Sequence, residues 1–131
     1  MRIFVDDGAA VRELTDGAEP VIRVSAPDLQ RARQVRSRIR SGPGDASVIL
    51  DVTVAVDRDF RAARSAFDSQ PGDTVRYAGS LAGLVGLIGD IESAGVADGV
   101  TLIGVSARQD LDRIGRDVVR ALTQRDQARA S

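Results

Sequence analysis

The side chains best placed to do chemistry in this sequence are two adjacent carboxylates, Asp6 and Asp7, which follow the apolar residues 3–5. If that run is a strand of a parallel sheet, both carboxylates lie near its carboxyl end, where such sheets bind their ligands. Two carboxylates in that position could hold Mg²⁺ through their oxygen atoms. An Asp-Gly pair is equally typical of a turn with a helix cap, and both interpretations stay open.

A third carboxylate, Asp51, lies inside the longest predicted strand, residues 48–56. In a strand, Asp51 and Thr53 share one face, whereas Leu50 and Val52 share the other. A charge on such a strand needs a partner, because burying it unpaired is costly. The pattern predicts either a polar cavity lined by Asp51 and Thr53 or a structural ion pair between Asp51 and an arginine.

Gly79 and Ser80 precede a segment in which apolar residues recur at helical spacing. The N-terminus of a helix presents free backbone N–H groups and is therefore a candidate anion site. Serine is also an ordinary N-cap, whose hydroxyl accepts one of those N–H groups. Ser80 is therefore interpreted either as an anion contact or as a cap alone.

Five arginines fall within residues 31–40. On a helix, Arg33, Arg36 and Arg40 lie on one flank of the apolar stripe, and Arg31 and Arg38 lie on the other. Because the charges are split between two flanks, we expect the arginine stems to cover the edge of the core.

The composition excludes several kinds of site. The 131 residues include no Cys and no His, and all 18 basic residues are Arg, which excludes thiol nucleophiles, histidine triads and lysine Schiff bases. The net charge of -1 and the 3% of aromatic residues do not favour a nucleic-acid partner. No apolar run approaches the roughly 20 residues of a membrane span, and no signal peptide is recognised. We expect a cytoplasmic protein with no membrane partner.

The elements that position these residues alternate along the chain. The pattern predicts a single domain, residues 1–131, of the α/β class with about five β-α units and a parallel sheet, either doubly wound or part of a β/α barrel. The predicted strands are residues 2–6, 21–25, 48–56, 74–78 and 99–105. The first two predicted helices are residues 9–14 and 28–40. A third is indicated by the stripe of Phe60, Ala63 and Phe67, with Asp57 as its cap. A fourth runs from Ser80 to Gly95, and the last carries Leu111, Ile114, Val118 and Leu122. Residues 124–131 are predicted to be frayed.

Residues 77–103 resemble the luciferase-like monooxygenase family, whose members carry a Gly-[Ser/Thr]-Pro-x-x-x-Ala helix followed by Ala-Gly-Val-Asp-Gly-Phe-x-Leu. Here Gly79 and Ser80 begin that helix, with Leu81 in place of the usual Pro. Three other segments are similar to the family in the expected order. Residues 7–14 are similar to its flavin phosphate loop, residues 24–36 to the segment after its sixth strand, and residues 52–67 to its seventh strand and helix.

The resemblance implies a (β/α)8-barrel family of which this chain matches the C-terminal half, and so a partial, TIM-barrel-like domain. It implies a flavin-dependent oxidoreductase or monooxygenase that uses FMN or F420, or a truncated form that is inactive alone and has no cofactor. No catalytic residue and no metal ligand are assigned. A half barrel leaves two sheet edges open, which favours a homodimer. The expected cofactor contacts are Gly8, Ala9, Gly79 and Ser80, with Asp51 and Thr53 lining the cavity.

The receiver domain of response regulators is a rival resemblance. Residues 2–7 are similar to the start of a receiver, and residues 48–51 are similar to its phosphoacceptor strand. This interpretation implies Asp51 as the acceptor and Asp6 with Asp7 as Mg²⁺ ligands, and it requires Asp51 at the end of a strand. A third interpretation is a non-enzymatic scaffold that forms a stable oligomer.

Overall fold

The strands and helices follow from short apolar runs that alternate with apolar stripes at helical spacing. The computed structural model describes residues 1–57, 60–65, 73–106 and 109–130, and the structural statements concern those residues. In chain order the elements are β1 (Arg2–Asp6), β2 (Val11–Glu13), β3 (Val21–Val24), α1 (Leu29–Arg40), β4 (Ser47–Val56), α2 (Phe60–Ser65), β5 (Val75–Gly79), α3 (Leu81–Ser93), β6 (Gly99–Gly104) and α4 (Leu111–Ala130).

The six strands form one sheet in the order β2-β1-β6-β4-β3, with β5 also paired to β4. All pairs are parallel except β1 with β2. β3 pairs with the first part of β4, from Ser47 to Leu50, and β5 pairs with its second part, from Val52 to Val56. Because β6 occupies the opposite edge of β4, β3 and β5 lie end to end along one edge. The predicted α/β class is confirmed. The sheet is mixed and not wholly parallel, because β1 and β2 are antiparallel, and β1, β2 and β3 follow one another without the helices that five β-α units require.

The sheet is curled into a half-barrel. In a β/α barrel each strand lies beside the strands that precede and follow it in the chain. Parallel pairing of consecutive strands is found for β3 with β4 and for β4 with β5. The pairing of β1 with the last strand, β6, is also the one that closes a barrel. The order differs from that of a TIM barrel in two places, because β6 pairs with β4 and not with β5, and because β1 and β2 are antiparallel.

The prediction of a short helix over residues 9–14 is wrong. Residues Val11–Glu13 form β2, which runs antiparallel to β1, and the N–H of Leu14 donates to the carbonyl of Ile3 at 2.8 Å. The turn between the strands is closed by the N–H of Asp7, which donates to the carbonyl of Ala10 at 3.3 Å. A six-residue helix is marginal by itself, whereas the hairpin gives the same backbone a hydrogen-bonded partner.

The bounds of the other described elements lie close to those predicted, except at the end of the chain. Ser80 caps α3, as one of its two interpretations expected, because its side chain accepts the N–H of Gly83 at 3.2 Å. Asp28 caps α1 in the same way by accepting the N–H of Arg31 at 2.8 Å. The predicted fraying is wrong for residues 124–130, which continue α4. Their Ala, Arg and Gln residues have high helix propensity. Phe67 and Ser131 lie outside the described residues. No helix in the described ranges has the length and apolarity to cross a membrane.

The hydrophobic core lies on one face of the sheet. Leu50, Val52 and Val54 of β4 are completely buried there, and α3 and α4 pack over this face. Each such side chain contributes about 1.5–3 kcal/mol when fully buried. The other face of β4 carries Asp51 and Thr53, so the predicted division into an apolar and a partly polar face is confirmed. The helical residues of the core are Ala32, Leu84, Val85, Ile88, Ile91, Leu111, Ile114 and Val118.

Two glycine-to-alanine substitutions should change stability in opposite directions. A Cβ atom at Gly99 would meet the carbonyl oxygen of Arg2 and lie 2.8 Å from Cδ1 of Ile49. Gly99→Ala should therefore lower the free energy of unfolding by about 1–3 kcal/mol. A Cβ atom at Gly86 of α3 meets no described atom within 4 Å, so Gly86→Ala should raise it by up to about 1 kcal/mol. Urea unfolding followed by circular dichroism measures both, and shifts of the same sign would contradict this packing.

Candidate functional site

A cleft opens at the carboxyl ends of β1 and β6, beside the first turn of α4. Its volume is about 540 Å³, which is within the range of small-molecule pockets. Its lining residues are Asp6, Asp7, Gly8, Ile103, Gly104, Ser106, Gln109, Asp110, Leu111 and Asp112. Because open parallel sheets bind ligands beyond the carboxyl ends of their strands, this cleft is the candidate functional site.

The loop after β1 is held by its own carboxylates. Oδ1 of Asp6 accepts the N–H of Gly8, and Oδ1 of Asp7 accepts the N–H groups of Ala9 and Ala10, all at 2.9 Å. The backbone N–H groups of Gly8 and Ala9, which the sequence resemblance assigned to a flavin phosphate, are therefore already hydrogen-bonded. A phosphate at this loop would meet two carboxylates instead of free donors.

Four carboxylates line the cleft, and two of them face an arginine. Arg12 of β2 forms an ion pair with Asp112 in the first turn of α4. Asp110 caps the same helix, because its Oδ1 accepts the N–H of Arg113 at 3.2 Å. Neither Asp110 nor Asp7 forms an ion pair with a described residue. The cleft therefore carries an excess of negative charge.

Arg23 of β3 bridges two carboxylates on the face of the sheet opposite the core. Its Nε donates to Oδ1 of Asp51 at 2.7 Å, and its Nη2 donates to Oδ2 of Asp6 at 2.9 Å. Asp6 lines the cleft, so this ion triad connects the cleft to the middle of β4. Of the two interpretations of Asp51, the arginine ion pair is the one found, and it places Asp51 beside a cleft residue.

Asp6 and Asp51 differ in pKa although both contact Arg23. The pKa of Asp6 is lowered from 3.8, first by the hydrogen bond from Gly8 and then by the one from Arg23. The pKa of Asp51 is raised from 3.8, because burial disfavours its charged form and Arg23 only partly offsets this. The side chain of Asp51 is 13% exposed, compared with 22% for Asp6. Asp51 is therefore the member of the pair that keeps its proton to higher pH.

The structure brings together only some of the predicted contact residues. Gly8 lines the cleft and Asp51 joins it through Arg23, whereas Thr53 shares a hydrogen bond of 2.7 Å with Thr74. Gly79 and Ser80 lie at the end of β5, which is separated from β1 by β4 and β6. The Ser80 hydroxyl serves as the N-cap of α3. Thr53, Gly79 and Ser80 are not among the residues that line this cleft.

The receiver interpretation requires Asp51 at the end of a strand, and the structure places it elsewhere. Asp51 lies at the fifth position of the ten-residue strand β4, and the strand continues past it to pair with β5. Within the described ranges, no group of three or more His, Cys, Asp or Glu is placed to hold a metal ion. Asp51 therefore does not lie at the strand end that the receiver interpretation requires.

Sequence reasoning missed the part of the site contributed by the β6–α4 connection. Oε1 of Gln109 accepts the N–H of Val56 at 2.9 Å, which attaches that connection to the end of β4. Asp110 followed by the apolar Leu111 is a recognisable N-cap signal, so the start of α4 could have been placed at this edge. The partner of Asp51 carries no comparable signal, because Arg23 is one of 18 basic residues.

No protein-family model matches the sequence and no curated protein matches it. The function of the cleft therefore has to be inferred from its own geometry and charge.

Carboxyl NMR should resolve separate titrations for Asp6 and Asp51, below and above pH 3.8 respectively. Asp6 contributes stability that is present above this pH and is lost as the pH falls through its folded-state pKa. The contribution of Asp51 has the opposite sign: it is present below this pH and is lost as the pH rises through its folded-state pKa. An Asp51 that titrates at or below the pH of Asp6 would contradict the burial of its carboxyl group.

Arg23→Gln is the matched variant for this titration. It removes the cation from both carboxylates and should raise both pKa values. Asp98 forms its ion pair with Arg36 at 2.9 Å, and its titration should not change in the variant. A shift of Asp98 as large as that of Asp6 would mean that the substitution had disturbed the whole fold.

Proposed function

We propose that the chain is a small-molecule-binding α/β domain whose ligand occupies the cleft at the carboxyl ends of β1 and β6. The observation that carries the proposal is the cleft itself, about 540 Å³ in volume. Its position is the one at which parallel sheets bind ligands. Two paired strands and the first turn of α4 frame it, so a ligand would meet a pre-formed site.

The charge of the cleft supports a ligand that carries an ammonium or guanidinium group, or several hydroxyl donors. The carboxylates of Asp7 and Asp110 form no ion pair with a described residue, so a cation would gain attraction without displacing an arginine. Ile103 and Leu111 add apolar surface to the same cleft. The combination favours an organic cation with a short apolar part over a phosphate.

A flavin-dependent oxidoreductase is the second proposal. It is supported by the resemblance to luciferase-like enzymes, by the half-barrel shape of the sheet and by a cleft at the edge where barrel enzymes bind substrates. The donors for a cofactor phosphate at Gly8 and Ala9 are taken by Asp6 and Asp7. If FMN or F420 binds, its hydroxyl-bearing ribityl chain matches these carboxylates better than its phosphate does.

We also propose that two copies of the chain form a homodimer through the edges of the sheet. β2 and β3 end the strand order, and among the described residues the exposed large apolar side chains are Val11 at 48%, Val21 at 45% and Ile22 at 39%. Unpaired strand edges with apolar side chains tend to pair with another chain. An oligomer that binds no ligand would favour the non-enzymatic scaffold.

Calorimetric titration of the full chain with agmatine, riboflavin, FMN and F420 tests the ligand class. Agmatine, which carries two cationic groups, should bind more tightly than FMN or F420, and riboflavin more tightly than FMN, because the phosphates are repelled. FMN binding more tightly than riboflavin would overturn the charge argument and favour the flavin enzyme. No binding of any probe up to millimolar concentration would overturn the small-molecule site.

Asp7→Asn is the variant that locates binding in the cleft. It removes one exposed carboxylate and should weaken agmatine binding about two- to fivefold, the usual range for an exposed ion pair. Asp90→Asn makes the same change of charge on an exposed residue of α3 that does not line the cleft. Equal weakening by both variants would mean that agmatine responds to net charge alone.

A further inference from the structure

The exposed surface of α1 carries a concentration of positive charge that the cleft does not use. Between Asp28 and Asp45 the sequence contains five arginines and no acidic residue. Of the twelve residues of α1, only Ala32 is fully buried. Most of this helix therefore faces solvent, and its charge is available to a partner.

The arginines form two columns on either side of an uncharged strip. At about 100° per residue, Arg31 and Arg38 fall on one flank and Arg33 and Arg40 on the other. The members of each column are seven residues apart, roughly 10 Å along the helix. The strip between the columns consists of Gln30, Gln34 and Ser37, and all seven residues are exposed. We call these seven residues the α1 arginine surface.

The cations of this surface are almost free of partners within the described residues. The side chains of Arg31, Arg33 and Arg38 form no hydrogen bond or ion pair there, and Arg40 lies 3.7 Å from Asp98. Arg36, on the inner side of α1, differs because it donates to Asp98 at 2.9 Å and to the Gly95 carbonyl at 3.3 Å. Arg36 and, at a longer distance, Arg40 therefore share Asp98, whereas the other three arginines of α1 have no side-chain partner among the described residues.

We propose that the α1 arginine surface binds the phosphate backbone of double-stranded DNA, with α1 lying in the major groove. A helix with its side chains is about 10–12 Å across, and the major groove of B-form DNA is about 12 Å wide. In that position each arginine column faces the phosphates of one strand. The Gln and Ser side chains between them face the base edges, with which both residue types form hydrogen bonds.

Other anionic partners fit the surface less well. Helices that lie in a lipid interface insert an apolar face, whereas the strip between the columns contains only Gln and Ser. A-form RNA has a deep, narrow major groove that side chains do not enter. An acidic protein would not need two columns on opposite flanks. The net charge of -1 conceals this surface, because carboxylates elsewhere, including those of the cleft, balance it.

Fluorescence anisotropy of a labelled 20-base-pair DNA, titrated with the full chain in increasing KCl, tests the proposal. Four phosphate contacts should give a slope of about -3.6 for log K against log salt. Arg31→Gln with Arg38→Gln removes one column and should halve that slope and weaken binding at low salt by about tenfold or more. Neither arginine has a described side-chain partner, so thermal unfolding of the variant should match that of the parent.

The matched control replaces Arg113 and Arg120 of α4 with Gln. These exposed arginines are also seven residues apart on one helix, but acidic residues lie close to them along α4. The control should bind DNA like the parent chain. Equal loss of binding in both variants, no binding at 20 mM KCl, or tighter binding to duplex RNA, anionic vesicles or polyglutamate would each overturn the proposal. Because the ligand cleft plays no part in it, this outcome is separate from the calorimetric one.

Discussion

The pairing of Asp51 with Arg23 is the contact on which the face opposite the core depends. Asp51 places a carboxylate inside the central strand, where burial raises its pKa. Arg23 comes from β3, which pairs with four residues of β4. The same guanidinium reaches Asp6 at the end of β1. In a flat sheet β3 and β1 would be roughly 14 Å apart, since three strand spacings separate them, so the curl of the sheet favours this bridge.

The bridge also determines what the cleft can bind. Because Arg23 donates to both Asp6 and Asp51, its guanidinium is not free to bind a phosphate. The carboxylates of the β1–β2 loop accept the backbone N–H groups that would otherwise be anion donors. A loop that resembles a phosphate site in sequence therefore has the opposite electrostatic character in the fold. The turn residues of the loop give it a tight backbone, but the carboxylates of Asp6 and Asp7 occupy the N–H groups that this backbone presents.

The helices with strong local signals could be predicted from sequence, because their caps and apolar stripes are properties of neighbouring residues. Asp28 and Ser80 are examples, and their hydrogen bonds lie where the N-cap pattern places them. The hairpin at Val11–Glu13 also had a local signal, because Asp7-Gly8 is typical of a turn between two strands, but a strand of three residues is too short for its alternation to distinguish it from a helix. The position of β6 between β1 and β4 had no local signal, because it depends on strands that are distant in the sequence. The polar face of β4 was evident from alternation, but Arg23 as the partner of Asp51 was not.

Positive and negative charges lie on separate surfaces of this protein, and the net charge of -1 does not reveal this separation. The carboxyl edge of the sheet gathers Asp6, Asp7, Asp110 and Asp112 around one cleft, while α1 displays arginines without any acidic neighbour along the helix. In water two such surfaces weaken each other's fields only over distances near the Debye length, about 8 Å at physiological ionic strength. Charges farther apart than this act as separate local fields. An anion and a cation can therefore each find an attractive surface on a chain whose net charge is close to zero, and the sites must be judged one surface at a time.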